Sequence, residues 1–125
     1  MKKVRVLLVD KDEYSILFMT RLFKKMCIVD LVFTSTSNGF EALDKSNNEQ
    51  FRLILTELMV HPIGGFELIK KIRSLDSYKN VPILVVTATV TRRSKEESLA
   101  VGATDFIAKP FNDLKYFIEK MKSYL

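Results

Sequence analysis

Apolar positions along this chain alternate between short unbroken runs and stretches with a helical period. Val4 to Val9 is apolar apart from Arg5, with β-branched valines at 4, 6 and 9, and the run stops at Asp10-Lys11-Asp12-Glu13. Such a run predicts a strand buried on both faces, with an acidic cluster at its carboxyl end. Asp12 is placed to cap a following helix, and Glu13 falls in that helix's first turn, where an acid is favoured. Ile16, Met19, Leu22, Phe23 and Met26 recur at helical spacing and predict a helix to about residue 26. A second strand is expected around Leu31 to Thr34. A short helix holding Phe40, Ala42 and Leu43 should start at Ser37-Asn38-Gly39, and Ser46 to Gln50 reads as a polar loop.

The pattern then repeats. Leu53, Ile54 and Leu55 are too few for a free helix and suit a third buried strand, which stops at Glu57. His61, Pro62, Gly64 and Gly65 form a turn-rich loop that leads into the helical positions Phe66, Leu68, Ile69 and Ile72. Val81 to Val86 predicts a fourth strand ending at Thr87-Ala88, with Pro82 near its first residue, where a missing donor does least harm. Thr91 to Val101 predicts a polar helix with Gly102 at its C-cap. Thr104 to Ala108 gives a fifth strand, stopped by Lys109-Pro110. Asn112 is the expected cap of a last helix with Leu114, Phe117, Ile118 and Met121 on one face. Strand and helix alternate throughout, which predicts an α/β, doubly wound, five-stranded parallel sheet with helices on both faces.

Composition adds bounds rather than chemistry. The 125 residues have room for one domain over 1–125, and 47% hydrophobic with 28% charged residues is ordinary for a globular protein. The formal charge of +5 permits an acidic protein or nucleic-acid partner, but the basic residues are spread out. Arg92, Arg93 and Lys95 at one helix end are weak grounds for direct nucleic-acid binding and read better as a solvated face. Cys27 stands alone, so no internal disulfide or CxxC site exists; it is expected to pack as a small apolar residue, and the chain fits a reducing cytoplasm. Arg5 and Asp10 break the opening run too early for an export signal, and no segment is long enough to span a membrane.

Polar residues stand at four strand ends: Asp10, Glu57, Thr87 and Lys109. In a parallel sheet all four fall on the carboxyl edge, where open α/β sheets place their sites. Each alone could be a loop cap. Together they predict one cleft centred on Glu57.

These segments carry a resemblance. LLVD at 7–10, NGFEAL at 38–43, the stretch around Glu57, VVTA at 85–88 and GATDFIAKPF at 102–111 resemble the response-regulator receiver domains of two-component signalling, over the whole chain. The resemblance implies the CheY-like, flavodoxin-like fold, and a strand-end Asp that takes a phosphoryl group from a kinase's phosphohistidine. It assigns the acceptor position to Glu57, the first cleft acid to Asp10, the second, metal-binding acid to Lys11 and the backbone metal ligand to the Met59 carbonyl. Thr87 and Lys109 match the groups that hold phosphoryl oxygens. Phe106 matches the aromatic that reports occupancy to the surface of the fourth helix, fifth strand and fifth helix. It also implies a cis peptide between Lys109 and Pro110.

Two of these positions depart from the family at the chemistry itself: Glu57 for Asp, and Lys11 for an acid. His61 and Gly64 also break the family's loop pattern, and His61 is expected on the surface. Asp10 and Glu57 against Lys11 and Lys109 sum to zero, which leaves no charge for the family's Mg²⁺ to balance; the site is expected to be metal-free. The extra methylene of Glu57 moves its carboxylate toward Thr87 and Lys109, a built-in imitation of the phosphorylated state. The sequence therefore predicts a pseudo-receiver: not an enzyme, but a protein-interaction module for a kinase, an output domain or an output protein. The alternatives are a drifted site without output, a working receiver phosphorylated at Glu57 or Thr56, and a flavodoxin-like nucleotide or flavin binder. The last lacks a Gly-rich loop after the first strand.

Overall fold

In the computed structural model, residues 3–26, 30–111 and 113–125 are described. Five strands and five helices alternate: β1 Lys3–Val9, α1 Glu13–Met26, β2 Asp30–Thr36, α2 Gly39–Asn48, β3 Leu53–Thr56, α3 Gly65–Arg73, β4 Ile83–Thr87, α4 Arg92–Ala100, β5 Asp105–Ala108 and α5 Leu114–Tyr124, with a 3-10 turn at Asp76–Tyr78. All strand pairs are parallel, in the order β2-β1-β3-β4-β5. This is the expected α/β doubly wound sheet.

The strands read as unbroken apolar runs because neighbouring residues feed opposite faces. Leu7, Val9, Ile54, Ile83 and Val85 join Leu68, Ile69 and Ile72 of α3 in one cluster. Val6, Leu8, Leu53, Leu55, Leu84 and Val86 join Phe23 of α1 and Phe117 and Met121 of α5 in the other. Phe23, Phe33, Phe111 and Phe117 form a chain of ring contacts on this second side.

The cap of α1 is the expected one, and side chains cap α2 and α4 as well. Asp12 accepts from the Tyr14 amide at 3.0 Å, Asn38 from Glu41, and Thr91 and Ser94 bond each other reciprocally. Gly102 sits one residue past the Val101 cap with φ of 116°, a conformation that favours glycine.

Several expectations need correction. β2 extends beyond Leu31–Thr34 at both ends, because β1 offers seven paired positions. Ser46 to Gln50 is not a polar loop: α2 runs to Asn48, and Ser46 is buried with its hydroxyl donating to the Ala42 carbonyl. β4 begins at Ile83, so Val81 and Pro82 precede it, with the Pro82 carbonyl accepting from Ile54. Asn112 and Cys27 lie outside the described residues; α5 is capped by Asp113, which accepts from the Tyr116 amide at 3.0 Å.

At the amino edge of the sheet, Arg73 ties α3 to three other segments. Its guanidinium donates to the carbonyls of Gly102 (2.8 Å), Tyr78 (2.6 Å) and Val81 (2.6 Å), and to the Thr104 hydroxyl (3.0 Å). Charged donors make stronger bonds, and truncation strands their acceptors. Arg73→Ala is expected to cost about 2–3 kcal/mol, read as a lower denaturant midpoint with an unchanged slope. The opposite edge, where the strand-end polar groups sit, should keep its geometry.

Candidate functional site

Register brings the four strand ends together. Val9 is paired with Thr56, and Thr87 with Ala108. Asp10 and Glu57 therefore each stand one residue past their strands, side by side, and Lys109 stands one past β5. Backbone bonds hold each in place: the Glu57 amide donates to the Val9 carbonyl at 2.8 Å, Asp10 to Thr36 at 3.0 Å and Lys109 to Thr87 at 2.8 Å. A local constraint fixes the chain just after Glu57. A Cβ on Gly65 would lie 2.7 Å from Leu58 Cα and 2.8 Å from the Glu57 carbonyl oxygen, so the loop can close this tightly only with glycine there.

Asp10, Glu57 and Thr87 are buried, and the Lys109 ammonium is mostly covered. Lys109 Nζ donates to Asp10 Oδ2 and, at 3.2 Å, to Glu57 Oε2. Glu57 Oε1 accepts from the Thr87 hydroxyl, from the Leu58 amide at 2.8 Å and from the Met59 amide at 3.4 Å. Asp10 Oδ1 accepts from the Asp12 amide at 2.9 Å, and Thr87 Oγ1 itself accepts from the Thr89 amide at 3.1 Å. All four carboxylate oxygens of the pair are engaged by protein donors. Burial disfavours a charged ammonium, but the hydrogen bond to Asp10 and the charges of Asp10 and Glu57 outweigh it, so Lys109 is held above the usual lysine pKa.

Of the residues named from sequence, Asp10, Glu57, Thr87 and Lys109 converge. Lys11 does not: it is exposed and makes no ion pair among the described residues. The neutral charge count therefore fails as a description of the cleft, whose side chains sum to −1, with Lys109 alone between two acids. Lys11 is turned out because its strand has ended and its charge is better solvated. Met59 is half-exposed and contributes its amide to Glu57. Phe106 is half-buried, packed against the cluster beneath α3 and bordering the α4–β5–α5 surface. His61 is exposed, as expected, and its carbonyl accepts from Gly39. The Lys109-Pro110 bond is cis, as the resemblance implied, and so is His61-Pro62. Sequence reasoning missed the amides of Asp12, Leu58 and Met59, since backbone donors leave no residue-type signal.

The residues present do not fit Mg²⁺, which needs several free oxygens in near-octahedral array. A lysine sits between the two acids, the third acid position is an outward lysine, and no group of three or more His, Cys, Asp or Glu able to hold a metal occurs among the described residues. Thr56 is buried, with its hydroxyl donating to the Glu57 carbonyl at 3.0 Å.

Comparison with known proteins agrees with the fold. The chain is 34% identical over 122 residues, 97% of its length, to the transcriptional regulatory protein CpxR homolog of Haemophilus influenzae, and spans about half of that protein. It is 33% identical over 90 residues to the polar-differentiation response regulator DivK of Brucella anthropi, covering 72% of each chain. The structure of the chemotaxis response regulator CheY4 of Vibrio cholerae superposes with a TM-score of 0.86 at 27% identity, covering 99% of this chain and all of that one. The model of the response regulator receiver domain matches residues 6–121, so every strand end in the cleft falls inside it; the chain belongs to that family.

Proposed function

We propose that this receiver domain works without phosphorylation, as a pseudo-receiver whose Glu57 stands in for a phosphorylated aspartate. One observation carries the reading: the Glu57 carboxylate already bonds the Thr87 hydroxyl and the Lys109 ammonium, the two groups that the family resemblance assigns to phosphoryl oxygens. The longer acid reaches them without added phosphate. The same contacts occupy the nucleophile. A carboxylate held by four protein donors is poorly disposed for in-line attack, and positioning is most of phosphoryl-transfer catalysis. Thr56, buried against the Glu57 carbonyl, offers no accessible substitute acceptor.

On this reading the domain is no enzyme and uses no metal. It is a cytoplasmic interaction module in a two-component pathway, and its partner is a kinase or an output domain or protein. Thr87, held toward Glu57, presets Phe106 and hence the α4–β5–α5 surface, which is the face offered to that partner. Among the described residues no helix is long and apolar enough to cross a membrane.

The test is incubation with acetyl phosphate and Mg²⁺, followed by intact-mass measurement. The mass is expected to stay that of the unmodified chain. A stable or transient phosphoryl adduct, trapped at early times and mapped to Glu57, would make the domain a working receiver instead.

A further inference from the structure

A pocket of about 540 Å³ opens between α3 and α4, on the side of α4 turned away from α5. Its size falls within the range of small-molecule sites. Leu58, Met59 and Val60 of the loop after β3, with Phe66 of α3, give it an apolar floor and wall; Met59 is 51% exposed. The opposite wall is the loop after β4 and the first turns of α4. Both walls are pinned to the cleft. The Leu58 and Met59 amides donate to Glu57 Oε1 at 2.8 and 3.4 Å, and the Thr89 amide donates to Thr87 Oγ1 at 3.1 Å. Backbone bonds therefore shape the pocket before any ligand arrives.

The polar groups on its walls decide what it takes. Ser94 and Thr91 bond each other, and the Ser94 hydroxyl also donates to the Thr89 carbonyl at 2.7 Å. Glu67 lies 3.9 Å from Lys71. Arg93 and Glu97 remain: they stand one turn apart on α4, both exposed, and neither makes an ion pair among the described residues. Arg92 and Glu96 have the same spacing and bond each other at 3.1 Å, so spacing alone does not keep Arg93 from Glu97. A phosphorylated molecule or a nucleic acid would bring several negative charges against one arginine, with Glu67 and Glu97 beside it. An apolar amine alone would leave Arg93 without a partner. A cation and a carboxylate above an apolar floor match a ligand that carries the opposite pair.

We propose that this pocket binds a small zwitterion with an apolar body, of the class of an aromatic amino acid. Its carboxylate pairs with Arg93, its ammonium with Glu97, and its ring lies on Leu58, Met59 and Phe66. The inference stands apart from the reading of Glu57 as a phosphoryl stand-in, because it uses the pocket walls and not the charge of the cleft.

Three indoles of similar shape serve as probes: L-tryptophan with both charges, indole-3-propionate with only the carboxylate and tryptamine with only the ammonium. Each is titrated into the isotope-labelled chain. L-Tryptophan is expected to bind with a Kd of about 1 mM or below and to move the amides of Leu58 to Phe66 and of Thr91 to Glu97. The two singly charged indoles should each bind about threefold to fivefold more weakly. Arg93→Gln and Glu97→Gln, both at exposed positions and checked for an unchanged melting temperature, should each cost L-tryptophan a similar factor. Arg93→Gln should not weaken tryptamine, and Glu97→Gln should not weaken indole-3-propionate. Met59→Gln, which makes part of the floor polar, should weaken all three. Equal affinity for the three indoles, shifts centred elsewhere, absence of binding, or indifference of L-tryptophan to both charge substitutions would overturn the proposal. So would tighter binding of ATP than of L-tryptophan, which would assign the pocket to phosphorylated ligands.

Discussion

The double substitution Glu57→Asp with Lys11→Asp is expected to bind Mg²⁺ and accept a phosphoryl group from acetyl phosphate, while each single substitution does so far less. Glu57→Asp withdraws the carboxylate by one methylene from Thr87 and Lys109 and reopens the space that Glu57 now fills. It leaves only Asp10 and the shortened acid as acidic side chains, with an ammonium at the third position. Lys11→Asp supplies the missing oxygen ligand but keeps the long acid seated on its donors. Because Lys11 points outward and is screened by solvent, its repulsion of a cation is weaker than a lysine inside the cleft would exert, and the lost ligand is the heavier term. Residues sharing one ligand are non-additive, so the double variant should exceed the sum of the singles by well over about tenfold in phosphorylation rate. Isothermal titration with Mg²⁺ and intact-mass kinetics give the readouts. Full metal-dependent phosphorylation of Glu57→Asp alone would show that Lys11 is a bystander on the rim.

Lys109→Met should be the most destabilising single change in the cleft. Methionine keeps an unbranched apolar stem one atom shorter than lysine and removes its charge, which leaves Asp10 and Glu57 buried and facing each other without a cation. Breaking a buried pair by removing one partner costs about 3–5 kcal/mol, and chemical denaturation at neutral pH should report a loss in that range. The pH dependence identifies the cause. In the wild type the Lys109 pKa is raised on folding, so its contribution is complete below the unfolded-state lysine pKa and fades as pH rises through the folded value. That alkaline loss should vanish in Lys109→Met. Adding Glu57→Gln should recover part of the loss at neutral pH. A cost below about 1 kcal/mol would mean that solvent, not Lys109, neutralises the two acids.

How much of this was legible beforehand follows from what each residue reports. The apolar runs at 6–9, 53–55 and 83–86 identify strands because a strand covered on both faces leaves no position for a polar side chain. The period of Leu68, Ile69 and Ile72 identifies a helix because it must keep one face on the sheet. Ser46 misled because a serine inside a helix can bond its own backbone four residues back and be buried, so its polarity says nothing about exposure. At the last helix the cap is Asp113, and cap propensity does not choose between adjacent Asn and Asp residues.

The same division holds for the cleft. Residue types alone determined that acids, a hydroxyl and a lysine stand at strand ends, since a buried run must terminate where polar groups reach solvent or one another. They also fixed the departures at 11 and 57. Only the tertiary structure decided how those charges pair. Lys11 and Lys109 are the same residue type at comparable positions, yet Lys109 turns between Asp10 and Glu57 while Lys11 turns to solvent. The amides of Leu58, Met59 and Asp12 that complete the carboxylates' bonding belong to the backbone, and every residue but proline has one. Which of them point into a cleft is set by the register of β1, β3 and β4 and by the tight closure at Gly65, contacts between segments far apart in sequence that no local pattern encodes.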